Sequence, residues 1–164
     1  MSDVVIGKGK LFGKGVYATR NFQPGEVVKY YNLKKLNQDD LKGLPKSEYE
    51  FIHSFWGEMY LFPEPSRYTN HSPNPNTYPD YSRMCDIAIK TIKKGDMVTI
   101  NAKIEVRFEL ETYIITHEKT EIKDFIWENG GYRNAVCSYK VNGVKKIIRL
   151  KRMGGNWKTF EEKI

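Results

Sequence analysis

The segment Arg67–Asn76 reads RYTNHSPNPN and lies near the middle of a 164-residue chain. Proline has no backbone N–H to give a ladder, and asparagine prefers turns. Two prolines and three asparagines in ten residues therefore exclude a continuous helix or a central strand there. The fold must be assembled from short elements on either side of a stiff, amide-rich connection. Taken alone, such a run fits a surface turn. What flanks it decides between a turn and a site.

On the N-terminal side, Val4–Ile6, Gly15–Ala18 and Val27–Tyr31 have the composition of short strands, and NFQPG at Asn21–Gly25 is a turn signal. Residues 37–55 begin NQDD and place Leu41, Leu44, Phe51, Ile52 and Phe55 loosely, which predicts one or two short helices. Met59–Phe62 is a short apolar strand. Beyond the proline-rich run, Arg83–Ile89 and Met97–Ile100 are strands divided by a KKGD turn.

The pattern changes from Glu109. Leu110, Ile114, Ile115, Ile122, Phe125 and Ile126 recur at roughly helical intervals, predicting a helix that stops at Gly130-Gly131. Val136–Val141 and Val144–Leu150 then flank Asn142-Gly143, a strong two-residue hairpin signal because both turn positions need positive φ. Gly154-Gly155-Asn156 turns the chain once more before Trp157–Phe160. A soft boundary near residue 108 divides the chain into 1–108 and 109–164, the latter a C-terminal helix with a basic β-hairpin.

The chain is long enough for one domain with a small appendage, and 13% aromatic residues give it material for a core. No run of eighteen apolar residues occurs, so no membrane partner is expected. The N-terminus MSDVVIGKGK lacks the order of a signal peptide. Cys85 and Cys137 form no CxxC pair, and only three histidines could join them. This predicts a reducing, cytoplasmic or otherwise intracellular setting and no zinc. The net charge is +7, and residues 140–158 carry seven Lys or Arg with no Asp or Glu. That stretch is expected to make a weak nucleic-acid contact or to be a solvated hairpin face. The oligomeric state is not legible.

The glycines of GKGKLFGKG (Gly7–Gly15) do not form a nucleotide loop. Lys8 stands five before Gly13, where a P-loop needs glycine, and no hydroxyl follows Lys14 for magnesium. Phe12 occupies the third glycine of a GxGxxG fingerprint. These glycines instead permit tight bends and close backbone approach.

Three segments, in order, carry a resemblance: LFGKGVYATRNFQPGEVV (11–28), RYTNHSPNPN (67–76) and AIKTIKKGDMVT (88–99). Over roughly residues 1–108 they resemble the SET domain, the β-rich fold of protein-lysine N-methyltransferases, with its GxG turn, GVxA strand, F-x-x-GE, R-F-[IV]-N-H-S-C-x-P-N and I-x-x-GEEL. The resemblance implies a mostly β fold with short helices, in which the NHS and GEEL strands cross in a pseudoknot. It implies S-adenosyl-L-methionine as cofactor, held by Asn70 and His71, with Lys14, Gly15 and Val16 at its amino-acid end. It implies a protein partner that presents a target lysine. The stiff loop then reads as a cofactor clamp, with donors fixed before the ligand arrives.

The chain departs from that family at the strand after GEEL, which normally ends in the catalytic tyrosine. Here Ile100, Asn101 and Ala102 follow. Pro73 replaces the cysteine of NHSC, and the zinc-bound Cys-rich tail has no counterpart, its place left to 109–164. Tyr49, Tyr78 and Tyr113 are candidate replacements for the missing tyrosine, and each also fits an aromatic packed in a core. Three function classes follow: a lysine methyltransferase, a SET-fold module that binds cofactor or peptide with little catalysis, or a nucleic-acid-associated interaction protein whose basic hairpin is the working surface.

Overall fold

The computed structural model describes residues 1–10, 13–130, 134–153 and 156–163, with 127–130, 152–153 and 156–163 described by their backbone alone. Leu11 and Phe12 of the opening motif, Gly131 of the expected helix stop and the Gly154-Gly155 turn lie outside these residues. The chain divides into two compact units that interleave along the sequence: Met1–Lys34 with Phe62–Glu105, and Lys35–Leu61 with Val106–Ile164.

The first unit is built on two small sheets. Strands β1 (Val4–Lys8) and β2 (Lys14–Ala18) pair antiparallel, with Val4 opposite Ala18 and Lys8 opposite Lys14. Further along the chain come β3 (Val27–Tyr30), β7 (Asn70–His71), β8 (Thr77–Asp80), β9 (Cys85–Ala88) and β10 (Met97–Ile100). One sheet runs β1-β2-β10-β7, the other β3-β9-β8. Alternate residues of these strands send Val4, Val16, Ala18, Val28, Ala88 and Val98 into one core with Phe22 and Ile92. Phe22 and Ile92, far apart in sequence, exchange both backbone hydrogen bonds at 2.8 and 3.0 Å. Strand β8 was not expected from TYPD. Pro79 is tolerated there because β8 is an edge strand and needs no second ladder partner.

The second unit holds β4 (Lys34–Leu36, beginning one residue before it), α1 (Gln38–Gly43), a 3-10 turn (Lys46–Phe51), β5 (Ile52–Phe55), β6 (Glu58–Leu61) and most of α2 (Ala102–Glu118). It is completed by β11 (Lys123–Gly130), β12 (Asn134–Val141), β13 (Val144–Met153) and β14 (Asn156–Lys163). Asn37 and Asp40 form a capping box at the start of α1, so NQDD is a helix start as expected. The last four strands pair in sequence order. Helix α2 lays Val106, Leu110 and Ile114, spaced one turn apart, on Ala135, Cys137, Tyr139, Ile148 and Leu150 of that sheet. Asn142 and Gly143 take φ of 49° and 79°, the positive pair a two-residue hairpin requires.

Two expectations for the helix are corrected. It starts at Ala102 rather than near Glu109, so Tyr113 lies well inside it. It stops at Glu118, and Lys119, at φ 53°, turns the chain out in the left-handed region. Ile122, Phe125 and Ile126 are thus not helical: Ile122 and Phe125 pack on the core while Ile126 is exposed. A bulge between Lys123 and Ile126, with Asp124 at φ 52°, spaces those apolar residues so that they imitate a helical period.

Candidate functional site

Strand β10 gathers the motif residues. Its one edge pairs antiparallel with β2, Val98 opposite Val16 and Met97 opposite Tyr17. Its other edge pairs parallel with β7, Thr99 opposite Asn70 and Ile100 opposite His71. The Ser72 N–H donates to the Ile100 carbonyl at 2.8 Å and continues that pairing. Lys14, Gly15, Val16, Asn70 and His71 therefore belong to one sheet, although 54 positions separate Val16 from Asn70.

Gly15 is where the two arms meet most closely. A Cβ added there would stand 3.0 Å from Asn70 Nδ2 and 3.2 Å from Met97 Cε, so a larger residue displaces one of them. The Asn70 side-chain amide donates only to the Met97 thioether, at 3.3 Å, among the described residues. Sulfur is a weak acceptor, so a strong donor is held half-buried and left available to a better one. Val16 differs from its neighbours: it is fully buried in the core, and only its backbone can face a ligand.

Lys14 stands on the same strand with its ammonium exposed. It lies 3.5 Å from the Tyr68 hydroxyl and 3.6 Å from Glu64, and 4.7 Å above the Tyr68 ring. Tyr68 in turn donates to Glu64 at 2.9 Å. The Tyr68 hydroxyl, followed by the Glu64 carboxylate, raises the Lys14 pKa above its ordinary value and keeps it a cation. Sequence reasoning missed Tyr68, Glu64 and Met97. Tyr68 sits inside RYTN, where nothing in the local sequence marks it as a partner for Lys14.

The remainder of the proline-rich run is an anchor. Asn76 Nδ2 donates to the Met97 carbonyl at 2.8 Å, and its Oδ1 accepts the Thr99 N–H at 2.8 Å. The side-chain amide imitates a strand backbone and ties the loop to β10. Thr77 Oγ1 adds a bond to the Thr99 carbonyl at 2.9 Å. Arg67 Nε donates to the Phe62 carbonyl at 2.8 Å and steadies the entry side.

At the far end of β10 the backbone leaves the extended form. Asn101 caps helix α2, its Oδ1 accepting the Lys103 N–H and its carbonyl the Ile104 N–H. The Ala102 N–H donates to His71 Nδ1 at 3.1 Å. The expected strand position of Ala102 is thus corrected: it is the first helical residue. Asn101 was the available signal, since asparagine before a helix-forming run is a start signal.

The three tyrosine candidates fall in different units, Tyr78 in the first and Tyr49 and Tyr113 in the second. Tyr78 lies half exposed on β8, beside a shallow depression of about 450 Å³ with Pro79, Tyr81, Ile87 and Ile89. Tyr49 sits in the 3-10 turn of the second unit, about one-third exposed. Tyr113 packs against the core of the second unit and stacks on His117, centroids 5.9 Å apart.

A buried ionic group also lies in the first unit. Asp86, 1% exposed, accepts from the Lys29 ammonium and from the Tyr31 hydroxyl, the latter at 2.6 Å. Burial first, and then the Asp86 charge, pushes the Tyr31 pKa far up, so the phenol stays a donor. Among the described residues no group of three or more His, Cys, Asp or Glu is placed to hold a metal ion. No helix among them is long and apolar enough to cross a membrane.

The SET domain family model matches residues 13–101. No curated protein matches the chain. Among solved structures, a Plasmodium falciparum protein provisionally assigned as a histone methyltransferase is similar at 19% identity and a TM-score of 0.48, over 62% of this chain and 93% of that one. A humanized mutant of the Chaetomium thermophilum Polycomb Repressive Complex 2, bound to the inhibitor GSK126, is similar at 26% identity and a TM-score of 0.46. That likeness covers 60% of this chain and 14% of the other.

Proposed function

Because the chain belongs to the SET-domain family, we propose that it is an S-adenosyl-L-methionine-dependent methyltransferase acting on a lysine side chain of a protein. The observation that carries this reading is the convergence of Gly15, Asn70 and Met97 where the opening strand meets the NHS segment. The residues present suit the cofactor. Gly15 keeps the backbone open to close approach, Asn70 offers an underused amide, and Lys14 supplies a cation for a carboxylate. When bound, the cofactor supplies a methyl group made electrophilic by its sulfonium.

Transfer of that group is an in-line displacement, so the protein's task is to orient a neutral amine. Free lysine has a pKa of about 10.4, and the substrate must therefore lose its proton as it is desolvated. Asn76 and Thr77 contribute by holding the loop to β10, so that Asn70 stays fixed without an ordering cost on binding.

A second reading has its own support: Ala102, at the family's tyrosine position, carries no hydroxyl and begins a helix. A module that binds the cofactor or a peptide with little turnover would look the same at this point. Calorimetric titration with S-adenosyl-L-methionine, followed by radiolabelled transfer to lysine peptides, separates the two. Binding with methylated product supports the enzyme; binding without product supports the module; no binding defeats both.

A further inference from the structure

We propose that the exposed face of the β11-β12-β13-β14 sheet binds the phosphate backbone of duplex nucleic acid, without sequence preference, through Lys123, Lys140 and Lys145. The three are brought into one row by the strand register. Lys123 stands directly opposite Lys140, and Lys140 directly opposite Lys145. Adjacent strands lie about 4.8 Å apart, so three ammonium-bearing side chains start from neighbouring rungs. Like charges directly opposite one another are destabilising, and a sheet keeps such a row only against its own stability.

Among the described residues the row has one acidic partner. Asp124 pairs with Lys140 at 3.1 Å, with both side chains about half exposed. No aspartate or glutamate occurs from 134 to 158. Lys146, next in sequence to Lys145, points to the other face and is held by Glu118 at 3.0 Å, so it is not part of the row. Arg149 and Lys151, at alternate positions of β13, continue on the same face as Lys145 and are exposed.

Two shallow cavities flank the row. Lys123 and Lys140 line one of about 310 Å³ with Asp124, Glu121 and Asn142. Lys140 and Lys145 line the other, of about 460 Å³, with Asp124, Ile126, Ser138 and Tyr139. Ser138 Oγ is buried beneath the second cavity, without a hydrogen-bond partner among the described residues. Tyr139 faces the core. A row of ammonium groups on neighbouring strands fits the closely and regularly spaced phosphates of a duplex, which carries one negative charge per about 1.7 Å of its axis.

The test is fluorescence anisotropy of the full chain with a labelled mixed-sequence 20-base-pair duplex, over a series of salt concentrations. Three neutralised phosphates correspond to a log-log salt slope near −2.7, a loss of affinity of roughly forty-fold between 50 and 200 mM salt. The Lys123→Gln/Lys140→Gln/Lys145→Gln variant should flatten that slope and retain an unchanged or higher melting temperature. Asp124→Asn, which leaves the positive φ accommodated, should tighten binding several-fold. A Lys93→Gln/Lys94→Gln variant in the first unit should behave as the wild type. Unchanged slope and affinity in the triple variant overturns the proposal. So does failure of the wild type to bind duplex at 50 mM salt, including the case in which it binds anionic phosphatidylserine vesicles instead. Methyl transfer plays no part in these readouts, so they stand or fall apart from the proposed activity.

Discussion

The Ala102 N–H and the His71 Nδ1 lie 3.1 Å apart, and this hydrogen bond joins the NHS segment to the first turn of helix α2. It links the two features that define the site: the motif that places Asn70, and the helix that replaces the expected tyrosine-bearing strand. A residue of the motif thereby acts as a helix cap as well as a neighbour of the candidate cofactor site.

Asn70→Ala should weaken S-adenosyl-L-methionine about ten- to a hundredfold by calorimetry, the range for a hydrogen bond to a charged partner. Gly15→Ala should do the same by a different route, since its Cβ would press on Asn70 Nδ2 at 3.0 Å. The fold should survive Asn70→Ala, because its amide gives up only a thioether contact. Unchanged affinity in both variants would count against the cofactor site.

Asp86→Asn should cost about 3–5 kcal/mol in urea unfolding, because it leaves the buried Lys29 ammonium without a counter-charge. Tyr31→Phe removes one hydrogen bond to the same carboxylate and should cost about 1.5–3 kcal/mol. Asp86→Asn must be the more damaging of the two. The reverse order would mean that Lys29 does not depend on Asp86.

Much of the first unit was legible because its elements are marked locally. Glycine and proline turns bound β1, β2, β3 and β10, and the motif order announced which strands would meet. The three-strand meeting at β10 was legible only through resemblance, since nothing local pairs Asn70 with Thr99. The boundary of α2 was misread for physical reasons at both ends. Asn101 works as a cap within what looked like a strand, and the bulge at Asp124 gives β11 a false helical period. Tyr68 and Met97 escaped notice because their roles are contacts across the sheet, which residue type alone does not encode.

Acid should weaken the second unit through Glu118. Its carboxylate accepts the Tyr139 hydroxyl at 2.7 Å and the Lys146 ammonium at 3.0 Å. The Tyr139 hydrogen bond first, and Lys146 after it, hold its pKa below the ordinary 4.5 against the opposing effect of burial. A depressed folded pKa contributes stability that is complete above the unfolded value and lost as pH falls through the folded one. The melting temperature should therefore fall as pH drops below about 4.5. Glu118→Gln should lower it at pH 7 and flatten that part of the acid profile. A profile of unchanged shape in Glu118→Gln would remove Glu118 from the account.

The last prediction concerns position 102. A hydroxyl there would orient the amine lone pair of an incoming lysine, an effect worth about one to several kcal/mol in a preorganised site. Ala102 is partly buried at the first turn of α2, where tyrosine carries a helix-propensity cost of about 0.5 kcal/mol. Wild-type transfer to generic lysine peptides should be slow, and Ala102→Tyr should raise it about tenfold or more. Should Tyr49, Tyr78 or Tyr113 already supply the hydroxyl, one Tyr→Phe change abolishes transfer and Ala102→Tyr crowds the site and lowers it. Tyr113→Phe keeps the ring that packs on the second unit's core, so a loss of transfer there reports the hydroxyl rather than unfolding. A radiolabelled transfer assay on the wild type and the four variants separates these outcomes. Brisk wild-type transfer that none of the four alters would defeat both versions.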